Sequence, residues 1–281
     1  MKSIAYISIL AFSLACQSKK ESTQKVISED TIATTSTQNI DKTEELINFG
    51  FSNESGDKIL AFEENINVEN LTQTIDNEGK ITTITFESNQ KGNESGLNLV
   101  PTNFKNCAGK VFSVTNKKVK TDLSCVIFND VYLRNHSLVP FKTLTQPTKI
   151  DEANKNKIAI ERKRKIKEAW KVAALGNESA YIVIFEPKKD SVLASLVIGG
   201  TSYVYRDYPS KYDAGSTWRV DDGGEFPNDA IKILVVFRNQ AGELEIITEW
   251  AGAEGANIEY AKANKNTFET IKEASRYWGA L

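Results

Sequence analysis

The chain has 281 residues, with 35 Lys and Arg against 37 Asp and Glu, three Cys, one His and one Met. A net charge of −2 excludes a nucleic-acid binder that works through overall charge, and a single His excludes a multi-histidine metal site. Three Cys cannot build a four-cysteine zinc site, while 40% apolar and 26% charged residues are ordinary for a chain that mostly folds.

The chain opens MKSIAYISILAFSLACQSKKES. Lys2 supplies a short positive start. Residues 4–15 form an apolar run, shorter than the roughly 20 residues that cross a bilayer as a helix but suited to the apolar stretch of a secretory signal. The run stops at Ala15-Cys16, and Gln17, Ser18, Lys19 and Lys20 follow. This segment resembles a bacterial lipoprotein signal. The resemblance implies that residues 1–15 are removed as a signal peptide and that Cys16 is the lipidation site, carrying fatty-acyl chains such as palmitate. Two or more such chains hold a protein stably on a membrane. The expected location is the cell envelope, on the outer membrane of a Gram-negative cell.

Residues 16–45 are rich in Ser, Thr, Lys, Gln, Glu and Asp, with too few apolar side chains to offset the entropy of ordering, so they read as a disordered tether. Such a stretch spans roughly 30 Å as a coil and roughly 90 Å extended. Residues 46–281 read as the globular region. A division into a smaller β-rich part, 46–148, and a main part, 149–281, is the alternative.

Within that region residues 81–86 alternate as a strand with β-branched content. Residues 110–115 and 119–128 read as a hairpin. With Cys16 acylated, Cys107 and Cys125 form an even pair in an exported protein, and a disulfide between them is expected. Residues 151–175 carry apolar positions at helical spacing and a basic flank of Lys163, Arg164, Lys167 and Lys171. A solvated face and a contact with anionic headgroups or glycans are both open for that flank. Arg162 falls inside the apolar stripe, either paired with a carboxylate or facing a ligand. Residues 181–186, 192–198 and 201–208 read as successive strands. Residues 231–238 and 243–250 form a hairpin, with Ile231, Ile233, Val235 and Phe237 on one face and Leu244, Ile246, Thr248 and Trp250 on one face of the partner. Residues 267–278 carry Phe268, Ile271, Ser275 and Trp278 at helical spacing. The order predicts an α+β fold: an antiparallel sheet packed with a central basic helix and a C-terminal helix.

Two local features stand out as candidate sites. Tyr203, Tyr205, Tyr208, Tyr212 and Trp218 crowd sixteen residues, and aromatic planes stack on sugar rings and fill interface hot spots. Asp221, Asp222 and Glu225 lie on a Gly-containing turn, a donor type that suits calcium, although the spacing is not that of an EF-hand. No nucleophile elbow or phosphate-binding loop occurs. Two functions compete. One is a non-enzymatic, membrane-anchored binding or interaction domain, recognising glycan or an envelope protein, with no cofactor and no nucleic acid. The other is a cell-envelope hydrolase of glycoside type using carboxylates among Asp207, Asp213, Asp221, Asp222 and Glu225.

Overall fold

The computed structural model describes residues 45–63 and 66–279. The signal segment, Cys16 and all but the last residue of the tether lie outside the described residues. The described residues belong to one compact unit and are mostly β-sheet, arranged as a closed barrel and a half-barrel.

The barrel uses six strands: β1 (Ile47–Ser52), β2 (Lys58–Ala61), β3 (Gln73–Ile75), β4 (Ile81–Gln90), β5 (Gly109–Val114) and β6 (Cys125–Phe128). They close in the order β1-β2-β5-β4-β3-β6, every pairing antiparallel. Period-two alternation sorts the side chains. Ile59, Ala61, Ile84, Phe112, Val114, Cys125 and Ile127 fill the interior. A Cβ at Gly50 would stand 2.6 Å from the Leu60 carbonyl oxygen, so only glycine fits there. The outward residues of β1 and β5, Phe51 and Val111, are covered with Leu60 by a 3₁₀ turn, Pro101–Asn106, through Phe104 and Cys107.

The half-barrel has ten strands. A short helix α1 (Asp130–Asn135) leads into β7 (His136–Leu138) and β8 (Lys142–Lys149). Helix α2 (Glu152–Arg162) is followed by β9 (Ile166–Leu175), β10 (Glu178–Phe185), β11 (Ser191–Gly199) and β12 (Tyr203–Lys211). A long loop then leads to β13 (Ile231–Asn239), β14 (Leu244–Ala251), β15 (Gly255–Asn264) and β16 (Thr267–Tyr277). The order is β7-β13-β14-β15-β16-β12-β11-β10-β9-β8, two meanders joined by one parallel contact between β12 and β16. The two edge strands, β7 and β8, are separated by only Val139, Pro140 and Phe141. So short a link reaches at most about 14 Å, which brings the two edges together and forces the sheet to curl.

Curling gives the sheet an inner face packed on itself. Ala180, Ile182, Ala194, Leu196, Ile198, Ile231, Ile233, Val236, Leu244, Ile246 and Phe268 form that core. The outer face is covered twice. At one side α2 lays Ile158 over Tyr181, Val183, Val197, Tyr203 and Tyr205. At the other, Val235, Phe237, Ile247, Ile258 and Tyr260 meet Phe49, Val126 and Phe128 of the barrel and Tyr132 of α1. Strands buried on both faces read as continuous apolar runs, as in Tyr181 to Phe185.

Several sequence expectations hold: the strand at 81–86, the strands following 181 and the hairpin of β13 and β14. Others are corrected. The α+β expectation gives way to a mostly β fold. The helix read over 151–175 is α2 followed by β9. Asp151 caps it, its side chain accepting from the Asn154 N–H, and Lys163 ends it in the left-handed conformation at φ 48°. The basic run that mimicked a helical flank is mostly the turn and strand that follow. The C-terminal helix is strand β16. A register shift opposite Tyr260 and Ala261 leaves Ile271 out of the ladder and exposed, so Phe268 faces the inner core while Lys272 and Ala274 turn to the barrel side. That interruption gave a strand helix-like spacing. A shift in β13 between Ile233 and Val235 likewise splits the face read from alternation: Ile231, Ile233 and Val236 point inward, Val235 and Phe237 toward the barrel. β5 and β6 are not a hairpin; each pairs with other strands.

The expected disulfide is not formed. Cys107 and Cys125 are free and buried on opposite faces of the barrel wall, Cys107 outside under the 3₁₀ turn and Cys125 inside. Burial pushes the Cys125 thiol up to about 12, against the opposing charge of Arg276, and burial also raises Cys107.

Candidate functional site

The aromatic cluster does not stay together. Successive side chains of β12 point to opposite faces, so Tyr203 and Tyr205 lie under α2 while Tyr208 faces the inner core. Tyr203 donates to Asn154, and Tyr205 donates to Glu161 at 2.6 Å. Burial, with Tyr181, Asp151 and Glu161 nearby, pushes the Tyr203 hydroxyl up to about 12. Arg162 lies 4.7 Å from the centre of the Tyr205 ring and pairs with Asp207, whose second oxygen accepts from Ser195 Oγ at 2.6 Å. Three of the six candidate binding residues, Arg162, Tyr203 and Tyr205, therefore pin α2 to the sheet. Tyr208 packs on Phe226 and Trp250.

Tyr212 and Trp218 come together at a groove of about 350 Å³ near one end of the half-barrel. Trp170 and Ile184 form its floor from β9 and β10, Phe226 and Pro227 close one side, and Lys167, Glu168, Glu225 and Asn228 supply polar groups. Tyr212 is half exposed. Trp218 donates its indole N–H to the Tyr208 carbonyl at 2.9 Å and meets the Phe226 ring edge-on at 5.3 Å. The result is a set of fixed aromatic planes with a charged and amide border. Such a surface can stack against a ring and hydrogen-bond its substituents.

Asp222 holds this wall in place. Its carboxylate accepts from the backbone N–H groups of Thr217, Trp218, Arg219 and Gly224 at 2.9, 2.6, 2.9 and 2.9 Å. Partial burial acts to raise its pKa, and the four donors outweigh that, leaving the carboxyl below its ordinary value. Asp213 braces the preceding turn through Gly215 and Ser216. Asp221 takes the left-handed conformation at φ 57° and is exposed. With Asp222 engaged in this way, Asp221 and Glu225 do not gather with it as ligands, and no group of three or more His, Cys, Asp or Glu that could hold a metal ion occurs among the described residues. Of the five carboxylates considered for hydrolysis, Glu225 alone lines the groove, joined there by Glu168.

Sequence reasoning missed Trp170, Phe226, Lys167 and Glu168. Trp170 falls at helical spacing in the sequence, yet it lies on β9 opposite Ile182 and faces the inner core, with Ala169 turned to the other face. His136, the lone histidine, is buried away from the groove. It stacks on Tyr132 at 3.9 Å and lies 3.1 Å from Glu245, which also accepts from the Tyr132 and Tyr260 hydroxyls. Comparison with protein-family models, curated proteins and solved structures finds no match for this chain.

Proposed function

We propose that this protein is a cell-envelope lipoprotein, anchored through Cys16 to the outer membrane of a Gram-negative cell, whose folded region binds a glycan without transforming it. The aromatic groove carries the reading. Trp170, Tyr212, Trp218 and Phe226 offer flat apolar area, and Lys167, Glu168, Glu225 and Asn228 offer donors and acceptors beside it, the combination that sugar rings require. The loop that bears Trp218 is already fixed by Asp222, so binding orders little and loses less entropy. An envelope protein docking at the same groove is the alternative occupant.

The test is a glycan array with the purified chain, followed by tryptophan fluorescence titration. Tyr212→Ala is expected to weaken binding by about tenfold or more without changing the fold, because this side chain is half exposed. Recovery of one stoichiometric protein from native membranes, with no array signal, would remove the glycan reading. In the same cells Cys16→Ser should move the protein out of the membrane fraction; retention on the membrane after signal removal refutes the anchor. The hydrolase reading keeps one specific support, Glu168 and Glu225 on a common groove. Turnover of a chromogenic glycoside that disappears in Glu225→Gln, with binding retained, would establish it.

A further inference from the structure

We propose that the turn-bearing end of the half-barrel, beside the groove, is a docking surface for an anionic bilayer. Four lysines and an isoleucine converge there from separate parts of the chain. Lys163 and Lys165 follow α2, and Lys188 and Lys189 form the turn between β10 and β11. Hydrogen bonds hold the two turns together: the Glu186 N–H donates to the Lys165 carbonyl at 2.8 Å, and the Arg164 guanidinium donates to the Glu186 and Ser191 carbonyls at 3.0 Å each. Ile160, on the last turn of α2, is 75% exposed and borders a shallow depression lined by Ala159, Lys163 and Lys165.

The charge state of this end decides the partner. Lys163, Lys165, Lys188 and Lys189 are exposed and none has a carboxylate within 4.0 Å among the described residues. The acidic groups on the same turn are Glu186 and Asp190, and Asp190 faces Lys211 at 3.5 Å. A chain of net charge −2 thus carries local positive charge beside an unpartnered apolar side chain. Anionic headgroups attract such lysines, and an isoleucine among them can enter the headgroup boundary. The depression beside Ile160 is shallow and open, and the basic groups are spread over two exposed turns, as contact with a broad charged surface requires. Lys167, Pro187 and Tyr212, which line the groove, adjoin this end, so docking would set the groove against the membrane. This inference does not depend on the lipid anchor or on what the groove binds.

The experiment uses residues 17–281, which retain the whole compact unit Ile40–Leu281 and lack Cys16. The probes are vesicles of phosphatidylcholine alone and vesicles with about 30 mol% phosphatidylglycerol, a strongly anionic surface. Sedimentation with the anionic vesicles only, weakening as salt rises, is expected. Each lysine near such a surface contributes about a factor of five, so Lys165→Glu with Lys188→Glu should lower partition by more than about 25-fold. Ile160→Ser should lower it about threefold. If the doubly reversed protein loses its circular dichroism signature, the neutral pair Lys165→Gln with Lys188→Gln replaces it, with a loss of about 25-fold expected. Lys105→Glu, an exposed lysine on the 3₁₀ turn of the barrel, should leave partition unchanged, which separates this surface from a general effect of charge. Equal partition onto neutral and anionic vesicles overturns the proposal. So does wild-type binding by the lysine variants, or release by millimolar inorganic phosphate at constant ionic strength, which would indicate a small-anion site instead.

Discussion

At the scale of single residues, carboxylates and thiols act here mainly as structural groups. Asp222 gathers four backbone donors that would otherwise lack partners in a tight loop. Its folded pKa is depressed, so its contribution is present above the unfolded value near 4 and is lost as pH falls through the lower folded value. Trp218 fluorescence should therefore change below about pH 4 in the native chain. Asp222→Asn should remove that acid step and cost about 2–3 kcal/mol at neutral pH, measured by urea unfolding, because an amide nitrogen cannot accept. The two barrel cysteines make a second prediction. Buried on opposite faces of one wall, both should resist a thiol reagent in the folded protein and react fully in denaturant, with no disulfide by non-reducing mass spectrometry. Cysteine count and compartment point to a bridge, but pairing requires both side chains on one side of the wall, and Cys107 sits at the end of the 3₁₀ turn outside it while Cys125 points inward from β6. The acidic turn was legible as a feature in the sequence. Its role was not, because the backbone N–H groups that saturate Asp222 come from a loop conformation that composition does not specify.

At the scale of elements, irregularities explain most differences between expectation and structure. Apolar spacing reads correctly where the ladder is regular, as in β14, where Leu244, Ile246 and Trp250 share the inner face. It misleads where a residue is added, since one extra residue exchanges the two faces of everything beyond it. Ile271 in β16 is such a residue, and with it Phe268, Ile271 and Ser275 fall at helical spacing. The strand assignment has a direct test. Glu273 is exposed and lies opposite Glu259 across β15 and β16, and Glu259 pairs with Arg206 at 2.7 Å. Glu273→Thr should raise stability by about 0.5 kcal/mol by supplying a β-branched side chain on a strand; a helix would lose stability from the same change. Thermal unfolding of the single variant separates the two. Helix α2 shows the complementary case. Its start was legible at Asp151, but its end depends on Lys163 adopting a left-handed conformation, which allows the chain to turn back into β9.

At the scale of the whole molecule, barrel and half-barrel share one apolar interface. Phe237 is fully buried between them, edge-on to Phe128 at 5.8 Å and to Tyr132 at 5.2 Å. Glu245 lies in the same layer, hydrogen-bonded to Tyr132 and close to His136. Neither part can expose that layer cheaply, so the folded unit should unfold in one transition by both tryptophan fluorescence and circular dichroism. Phe237→Ala should lower its stability by about 3–5 kcal/mol and keep the two signals coincident; separated transitions would show that the parts fold independently. From the sequence alone came the resemblance of the start to a lipoprotein signal, the expectation of a polar tether, the exclusion of multi-histidine and four-cysteine metal sites, and the strands with unbroken alternation. These depend on composition and on spacing between near neighbours, which the chain carries locally. Only the tertiary structure decided that β7 and β8, three residues apart in the chain, form the two opposite edges of one sheet, that the cysteines lie on opposite sides of a wall, and that Trp170 joins Tyr212 and Trp218 at one groove. Each of these follows from which distant strands pair and in what register, and no local pattern encodes that choice.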